Sequence, residues 1–157
     1  MNVPRIGQGF DIHPFSNDPA RSLVLAGVPL PGRGLAGHSD ADVVAHAVAD
    51  ALLGAAGKGD IGTLFPDTDP QFAGVDSMQL LARVVSDVAA EYLISNVDVS
   101  IITEVPKIAP YRREMCERLS AVLGAPASVK AKRAEALGAI GRREGIACLA
   151  IALVVGL

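Results

Sequence analysis

The chain has 157 residues, 50% of them hydrophobic and 20% charged, with 14 Lys+Arg against 17 Asp+Glu for a net charge of −3. That length suits one domain, spanning residues 1–157, with a core of ordinary size. High hydrophobicity with low net charge excludes a disordered chain, and the missing basic excess excludes the electrostatic footprint of a nucleic-acid binder.

Aromatic residues make up 4% of the chain and tryptophan is absent, so stacking is a poor way for this protein to hold a base. Backbone groups are the expected means of gripping a nucleotide. Cys116 and Cys148 lie far apart and outside any Cys-x-x-Cys spacing, which reads as buried, reduced thiols rather than a disulfide or zinc scaffold. The start, Met1-Asn2-Val3-Pro4-Arg5, has neither the apolar core of a secretory signal nor a transit-peptide composition. The longest apolar run, from Gly145 to Val155, is well short of the ~20 residues that cross a bilayer as a helix. No membrane partner and a soluble, cytoplasmic protein are expected.

In chain order, Arg5 to His13 reads as a strand. Gly7, Gly9, Asp11 and His13 share one face, and Ile6, Gln8, Phe10 and Ile12 share the other. A second strand is expected over 22–27, ended by the glycines and prolines from Gly27 to Gly34. His38-Ser39-Asp40 resembles a helix entry, the helix running to about Leu53 before Gly54. Residues 57–70 read as a Gly/Asp/Pro loop. Asp76-Ser77 starts a further helix, with Leu81, Val84, Val85, Val88 and Tyr92 as its apolar stripe. Alternation from Asn96 to Ile101 predicts a strand, and residues 111–123 predict a helix closed by Gly124. Ser128 to Lys132 is a short strand.

The last strand, 145–155, is apolar on both faces. One face can lie on helices, and a subunit interface is the economical cover for the other. The fold class is therefore α+β: a two-layer arrangement of a mixed sheet with helices mostly on one face, assembled as an oligomer.

Only three histidines occur, His13, His38 and His46. Asp11 and His13 point to the same side of their strand, and His46 lies on the following helix. Two imidazoles and a carboxylate make a three-ligand zinc site with one open position; the other reading is unrelated polar residues near strand and helix ends. Asp42, one helical turn before His46, either orients that histidine or is an ordinary carboxylate at a helix start. The carboxylates of Gly59 to Pro70 either hold sugar hydroxyls or a cation, or are turn chemistry. Gly141-Arg142-Arg143-Glu144-Gly145 either suits a phosphate or is a charged turn.

Several ordered motifs occur together. They are Gly7-Gln8-Gly9-Phe10-Asp11-Ile12-His13, Gly37-His38-Ser39-Asp40-Ala41-Asp42 with His46, and Asp50 to Ala56. Gly59-Asp60-Ile61-Gly62, Phe65-Pro66-Asp67-Thr68-Asp69-Pro70, Asn96-Val97-Asp98-Val99, Pro106-Lys107 and Gly145-Ile146-Ala147 complete them. From about residue 5 to 155 the chain resembles the 2-C-methyl-D-erythritol 2,4-cyclodiphosphate synthases of the non-mevalonate isoprenoid pathway. The resemblance implies a homotrimer with active sites between neighbouring subunits. It implies conversion of 4-diphosphocytidyl-2-C-methyl-D-erythritol 2-phosphate, the small-molecule partner, to the cyclic diphosphate and CMP.

By the same resemblance, Asp11, His13 and His46 are zinc ligands, and Glu135 holds a second divalent cation, Mg²⁺ or Mn²⁺. Asp11, Ile12 and His13 border the substrate, and His38 and Ser39 belong to a loop that closes on it, His38 with a catalytic role. Asp60, Ile61 and Gly62 would hold the ribose side. Phe65, Pro66, Asp67, Thr68 and Asp69 would line the erythritol end. Thr103, Pro106, Lys107, Ile108 and Ala109 would grip cytosine through the backbone. Lys132, Arg133, Ala134 and Glu135 would meet the phosphates, Arg133 at the position of a catalytic threonine. Ala139 stands where many relatives carry an aromatic residue beside the trimer axis, Arg142 matches an arginine there, and Arg143 replaces a usual glycine. Two other readings are a zinc-dependent phosphodiester hydrolase and a trimeric metal- or nucleotide-binding module without catalysis.

Overall fold

The computed structural model describes residues 3–157. Met1 and Asn2, part of the start read above as carrying no leader, lie outside the described residues. Four strands form the main sheet: β1 (Pro4–Pro14), β4 (Tyr92–Ile102), β5 (Ala127–Lys132) and β6 (Gly145–Gly156). Their order is β1-β6-β4-β5, with β6 antiparallel to both neighbours and β4 parallel to β5. The sheet is mixed, as expected.

α1 (Val43–Ala56) is the central helix, apolar almost all round, and it packs on β1, β6 and β4. The glycines of β1 permit this. A Cβ on Gly9 would sit 1.8 Å from the Ala47 carbonyl oxygen, and one on Gly7 1.9 Å from that of Ala51. No side chain fits there, and the small face Ala47, Ala51, Ala55 of α1 lies directly on the strand. α3 (Ser77–Ala89) packs on α1 and β4, and α4 (Arg112–Leu123) on β5 and α3. Leu81, Val84 and Val88 are fully buried. Asp76 caps α3 and Gly124, at φ 63°, closes α4.

Several boundaries differ from the sequence reading. The strand expected over 22–27 is the first half of a hairpin, β2 (Leu23–Leu25) and β3 (Val28–Leu30), apart from the main sheet. Ala26 and Gly27, at φ 53° and 72°, form its two-residue turn. α1 starts at Val43, with Asp42 rather than Ser39 or Asp40 as its cap. It runs through Gly54 to Gly57, whose φ of 72° ends it. One interior glycine costs a helix ~1 kcal/mol, and burial of Ala55 and Ala56 offsets that. The 57–70 loop contains a short helix, α2 (Ile61–Leu64), and α5 (Gly138–Gly141) precedes β6. Tyr92 belongs to β4, not to the stripe of α3.

β6 is two-faced. Ile146, Cys148, Ala150, Ala152 and Val154 are buried under the helices. On the opposite face Ile151 is 50% exposed, beside Ile6 at 72%, Phe10 at 53%, Ile12 at 48% and Leu93 at 60%. This is an open apolar sheet face, bordered by the Asp98–Lys130 ion pair. Both cysteines are free; Cys148 is buried, which pushes its thiol pKa up, while Cys116 is only half-buried.

Candidate metal centre and substrate cavity

β1 and α1 meet where their chemistry is richest. Asp11 Oδ2 lies 3.0 Å from His13 Nε2 and 2.9 Å from His46 Nδ1. Among the described residues this is the one group of three or more such side chains placed to hold a metal ion, its ligand atoms all within 4.8 Å of one another. Strand alternation puts Asp11 and His13 on the helix side, and the close seating of α1 on Gly7 and Gly9 brings His46 to them. The donor set fits a divalent ion, with room for a non-protein ligand.

Electrostatics agree with the geometry. Burial alone would raise the Asp11 pKa, but hydrogen bonds with His13 and His46 outweigh it and lower the group to about 2. Burial alone would lower the His13 pKa, but the Asp11 carboxylate outweighs that and raises it. A metal ion must displace the protons between these groups. Because His13 holds its proton to higher pH than a free imidazole, metal affinity should fall as pH drops through neutrality. Chelator competition should show affinity roughly tenfold or more lower at about pH 6 than at about pH 8. Equal affinities would contradict proton displacement at this site.

Each histidine is steered by its other nitrogen. His13 Nδ1 donates to the Ala36 carbonyl at 2.8 Å. Gly37 packs against this ring, since a Cβ there would lie 3.0 Å from His13 Cε1. His46 Nε2 lies 2.9 Å from Ser77 Oγ and 3.1 Å from Ser39 Oγ. Ser77, and the Asp40 carboxylate that accepts its hydroxyl proton, read in the sequence only as residues of helix starts, not of the site. A contact spanning 37 positions leaves no local signal.

Asp42 resolves to one of its two readings. It is fully buried, its Oδ1 accepts the N–H groups of Val44 and Ala45 at 3.1 Å each and of Ala26 at 2.9 Å, and its Oδ2 accepts that of Gly27 at 2.8 Å. Its carboxylate caps α1 and holds the hairpin turn and makes no bond to the His46 ring. Burial pushes its carboxyl up to about 6.

An open cavity of about 450 Å³ adjoins the cluster, lined by His13, Gly37, His38, Ser39, His46, Ile61, Gly62, Phe65, Pro66, Asp67, Phe72 and Leu80. His38 Nε2 donates to the Asp69 carbonyl at 2.9 Å, and Gly74 N–H donates to the His38 carbonyl at 2.8 Å, tying the two loops together. The Asp69 side chain accepts from Gln71, and Asp60 accepts from the Thr63 N–H and hydroxyl at 2.8 Å each. Asp60 therefore caps α2, outside the cavity lining. Ile12 turns its side chain to the open sheet face.

The remaining residues singled out in the sequence lie elsewhere in the chain. Thr103, Pro106, Lys107, Ile108, Ala109, Lys132 and Arg133 line a second cavity of about 210 Å³, with Glu104 and Arg112. The two cavities share no lining residue. Glu104, missed in the sequence, accepts the Ala134 N–H at 2.8 Å and shapes the turn after β5. Glu135 is exposed at φ 54° and is not part of the Asp11 cluster. Ala139 is exposed on α5, and Arg142 pairs with Glu144 at 2.7 Å. Arg143 has φ 62°, a backbone region that favours glycine.

Comparison with known proteins places the chain. It is 54% identical over 156 residues to the 2-C-methyl-D-erythritol 2,4-cyclodiphosphate synthase of Symbiobacterium thermophilum, covering 96% of this chain and 98% of that protein. It is 48% identical over 155 residues to the protein of the same name from Enterococcus faecalis, covering 96% and 98%. Among solved structures, a CDP complex of IspF from Plasmodium falciparum superposes with a TM-score of 0.85 at 37% identity, covering 99% of this chain and 98% of that one. The bifunctional IspDF of Campylobacter jejuni superposes with a TM-score of 0.94 at 39% identity, and this chain, matched over its whole length, spans 43% of that longer protein. The model of the YgbB family matches residues 4–155, and the chain belongs to that family.

Proposed function

We propose that this chain converts 4-diphosphocytidyl-2-C-methyl-D-erythritol 2-phosphate to 2-C-methyl-D-erythritol 2,4-cyclodiphosphate and CMP, as a phosphorus–oxygen lyase of isoprenoid biosynthesis. The observation that carries this is the Asp11–His13–His46 cluster beside an open cavity of about 450 Å³, in a chain about half identical to synthases of that name. The 2-phosphate attacks the β-phosphorus of the same molecule; the bond from that phosphorus to the oxygen bridging it to the α-phosphorus breaks, and CMP departs with that oxygen. A phosphate monoester is largely ionised near neutral pH, so the protein must fold the substrate and exclude water rather than supply a strong base. Zinc on Asp11, His13 and His46, and Mg²⁺ or Mn²⁺ on Glu135, would supply Lewis-acid charge to the crowded phosphates.

The protein's own groups do the positioning. His38, its Nε2–H committed to the Asp69 carbonyl, presents Nδ1 as an acceptor. With Ser39 it closes the cavity mouth. Asp60, Ile61 and Gly62 hold the ribose side, and Phe65 to Asp69 the erythritol end. The backbone of Thr103 to Ala109 takes cytosine, consistent with the scarcity of aromatic residues. Lys132 and Arg133 bring two positive charges to that second cavity. Arg142 and Ala139 stand at the trimer axis.

Because the two cavities share no lining residue in one chain, a homotrimer would complete each site, the nucleotide cavity of one copy facing the metal cavity of the next. The open apolar face of β1 and β6 supports such burial. Light scattering is expected to give three times the 16.2 kDa chain mass at micromolar concentration; a stable monomer would contradict the shared site. No helix among the described residues is long and apolar enough to cross a membrane, and we place the protein in the cytoplasm, as one domain without a nucleic-acid or membrane partner. Incubation with the diphosphocytidyl substrate tests the function: cyclic diphosphate and CMP support it, linear products would support the hydrolase, and no turnover the binding module.

A further inference from the structure

We propose that Ser77 and Asp40 are positioning residues for the metal centre, forming a carboxylate–hydroxyl–imidazole chain that fixes His46 with its Nε2 protonated and its Nδ1 free to bind the ion. This rests on the metal reading of the Asp11 cluster.

The Asp40 carboxylate is approached by three donors: the Ser77 hydroxyl at Oδ1, the Asp42 N–H at 3.1 Å from Oδ1, and the Ser77 N–H at 3.1 Å from Oδ2. A carboxylate so surrounded only accepts. The Ser77 hydroxyl has one proton, and Asp40 takes it. What Ser77 Oγ then offers His46 Nε2, 2.9 Å away, is a lone pair, so Nε2 must be the donor. Ser39 Oγ stands 3.1 Å from both Ser77 Oγ and His46 Nε2; its proton goes to Ser77 Oγ, because an unprotonated Nε2 would set its lone pair against that of Ser77 Oγ, and it accepts the Ala41 N–H at 3.2 Å. With Nε2 protonated, the unprotonated nitrogen of a neutral His46 is Nδ1, the atom 2.9 Å from Asp11 Oδ2. His13 is set in the opposite sense by the Ala36 carbonyl, its Nδ1 protonated and its Nε2 turned to Asp11. Ser77 is 1% exposed, so water does not compete for its oxygen. As the first residue of α3, it also makes the seating of that helix part of the metal site.

Partners of this kind orient metal-binding histidines, and their loss typically costs ten- to a hundredfold in metal affinity. In ¹⁵N-labelled, zinc-loaded protein, the His46 side chain should show a protonated Nε2 with a slowly exchanging proton and a metal-bound Nδ1. Ser77→Ala should keep the fold, speed exchange of that proton, and weaken zinc binding about ten- to a hundredfold. Ser77→Thr, which keeps the hydroxyl, should recover most of the affinity. Zinc on His46 Nε2 in the parent protein would overturn the proposal whether or not any variant folds. So would a Ser77→Ala protein that keeps both parental affinity and parental exchange. If the parent binds no zinc at all, the metal reading itself fails and this proposal falls with it.

Discussion

His46→Ala should abolish activity and release the metal while leaving the fold in place. His46 supplies one of three protein ligands, and the free energy of zinc binding to a complete four-ligand site is ≈ 10–16 kcal/mol, so one ligand is worth on the order of 3–4 kcal/mol. Affinity should fall by about two to three orders of magnitude. The side chain is partly buried at the base of an open cavity, not in the core. Its loss should therefore cost the metal-free protein only the ~1 kcal/mol of an ordinary hydrogen bond or two. Metal analysis together with a thermal melt separates the effects. A variant that melts normally and keeps its full metal content would show that His46 is not a ligand.

Gly9→Ala should be among the most destabilising single-methyl changes in the chain. The new Cβ would lie 1.8 Å from the Ala47 carbonyl oxygen and 2.8 Å from the Ala51 nitrogen, both backbone atoms of α1. No rotamer relieves that overlap; the helix must move away from β1. Overpacking of a core costs ~1–3 kcal/mol and occasionally more, and displaced backbone places this site at about 3 kcal/mol or above. The consequence reaches the chemistry, because β1 carries Asp11 and His13 while α1 carries His46. A helix pushed off the strand separates the ligands, so metal affinity should fall along with the denaturation midpoint. Gly156→Ala, where a Cβ meets nothing within 4 Å, is the control. Equal stability of the two variants would contradict the close seating of α1.

The parts of this site that alternation and helical spacing control were legible in the sequence. Asp11 and His13 share a strand face with Gly7 and Gly9, and that face meets the helix bearing His46. The alternating apolar set Ile6, Phe10 and Ile12 likewise appears on the open face. What was not legible depended on choosing among several similar residues. Ser39, Asp40 and Asp42 are all competent helix caps, and tertiary contacts decided between them. Asp42 is the cap because the Ala26-Gly27 turn delivers two further N–H groups to it. Ser39 and Asp40 instead reach His46 and Ser77. Gly54 looked like a helix end, but the helix continues because its next residues are buried. The carboxylates of Asp60 and Asp69 cap short helical turns, the turn chemistry that the composition of Gly59 to Pro70 allowed beside a sugar- or cation-binding role. The separation of the two cavities is a property of the folded chain that no local pattern encodes.

The central claim is that the 2-phosphate, not water, attacks the β-phosphorus. Turnover of the diphosphocytidyl substrate in heavy-oxygen water, followed by mass spectrometry of the products, tests this most directly. Intramolecular cyclisation predicts that neither the cyclic diphosphate nor CMP gains the heavy isotope. One heavy oxygen in a product phosphate, with linear erythritol phosphates formed, would contradict the account and identify a metal-dependent hydrolase.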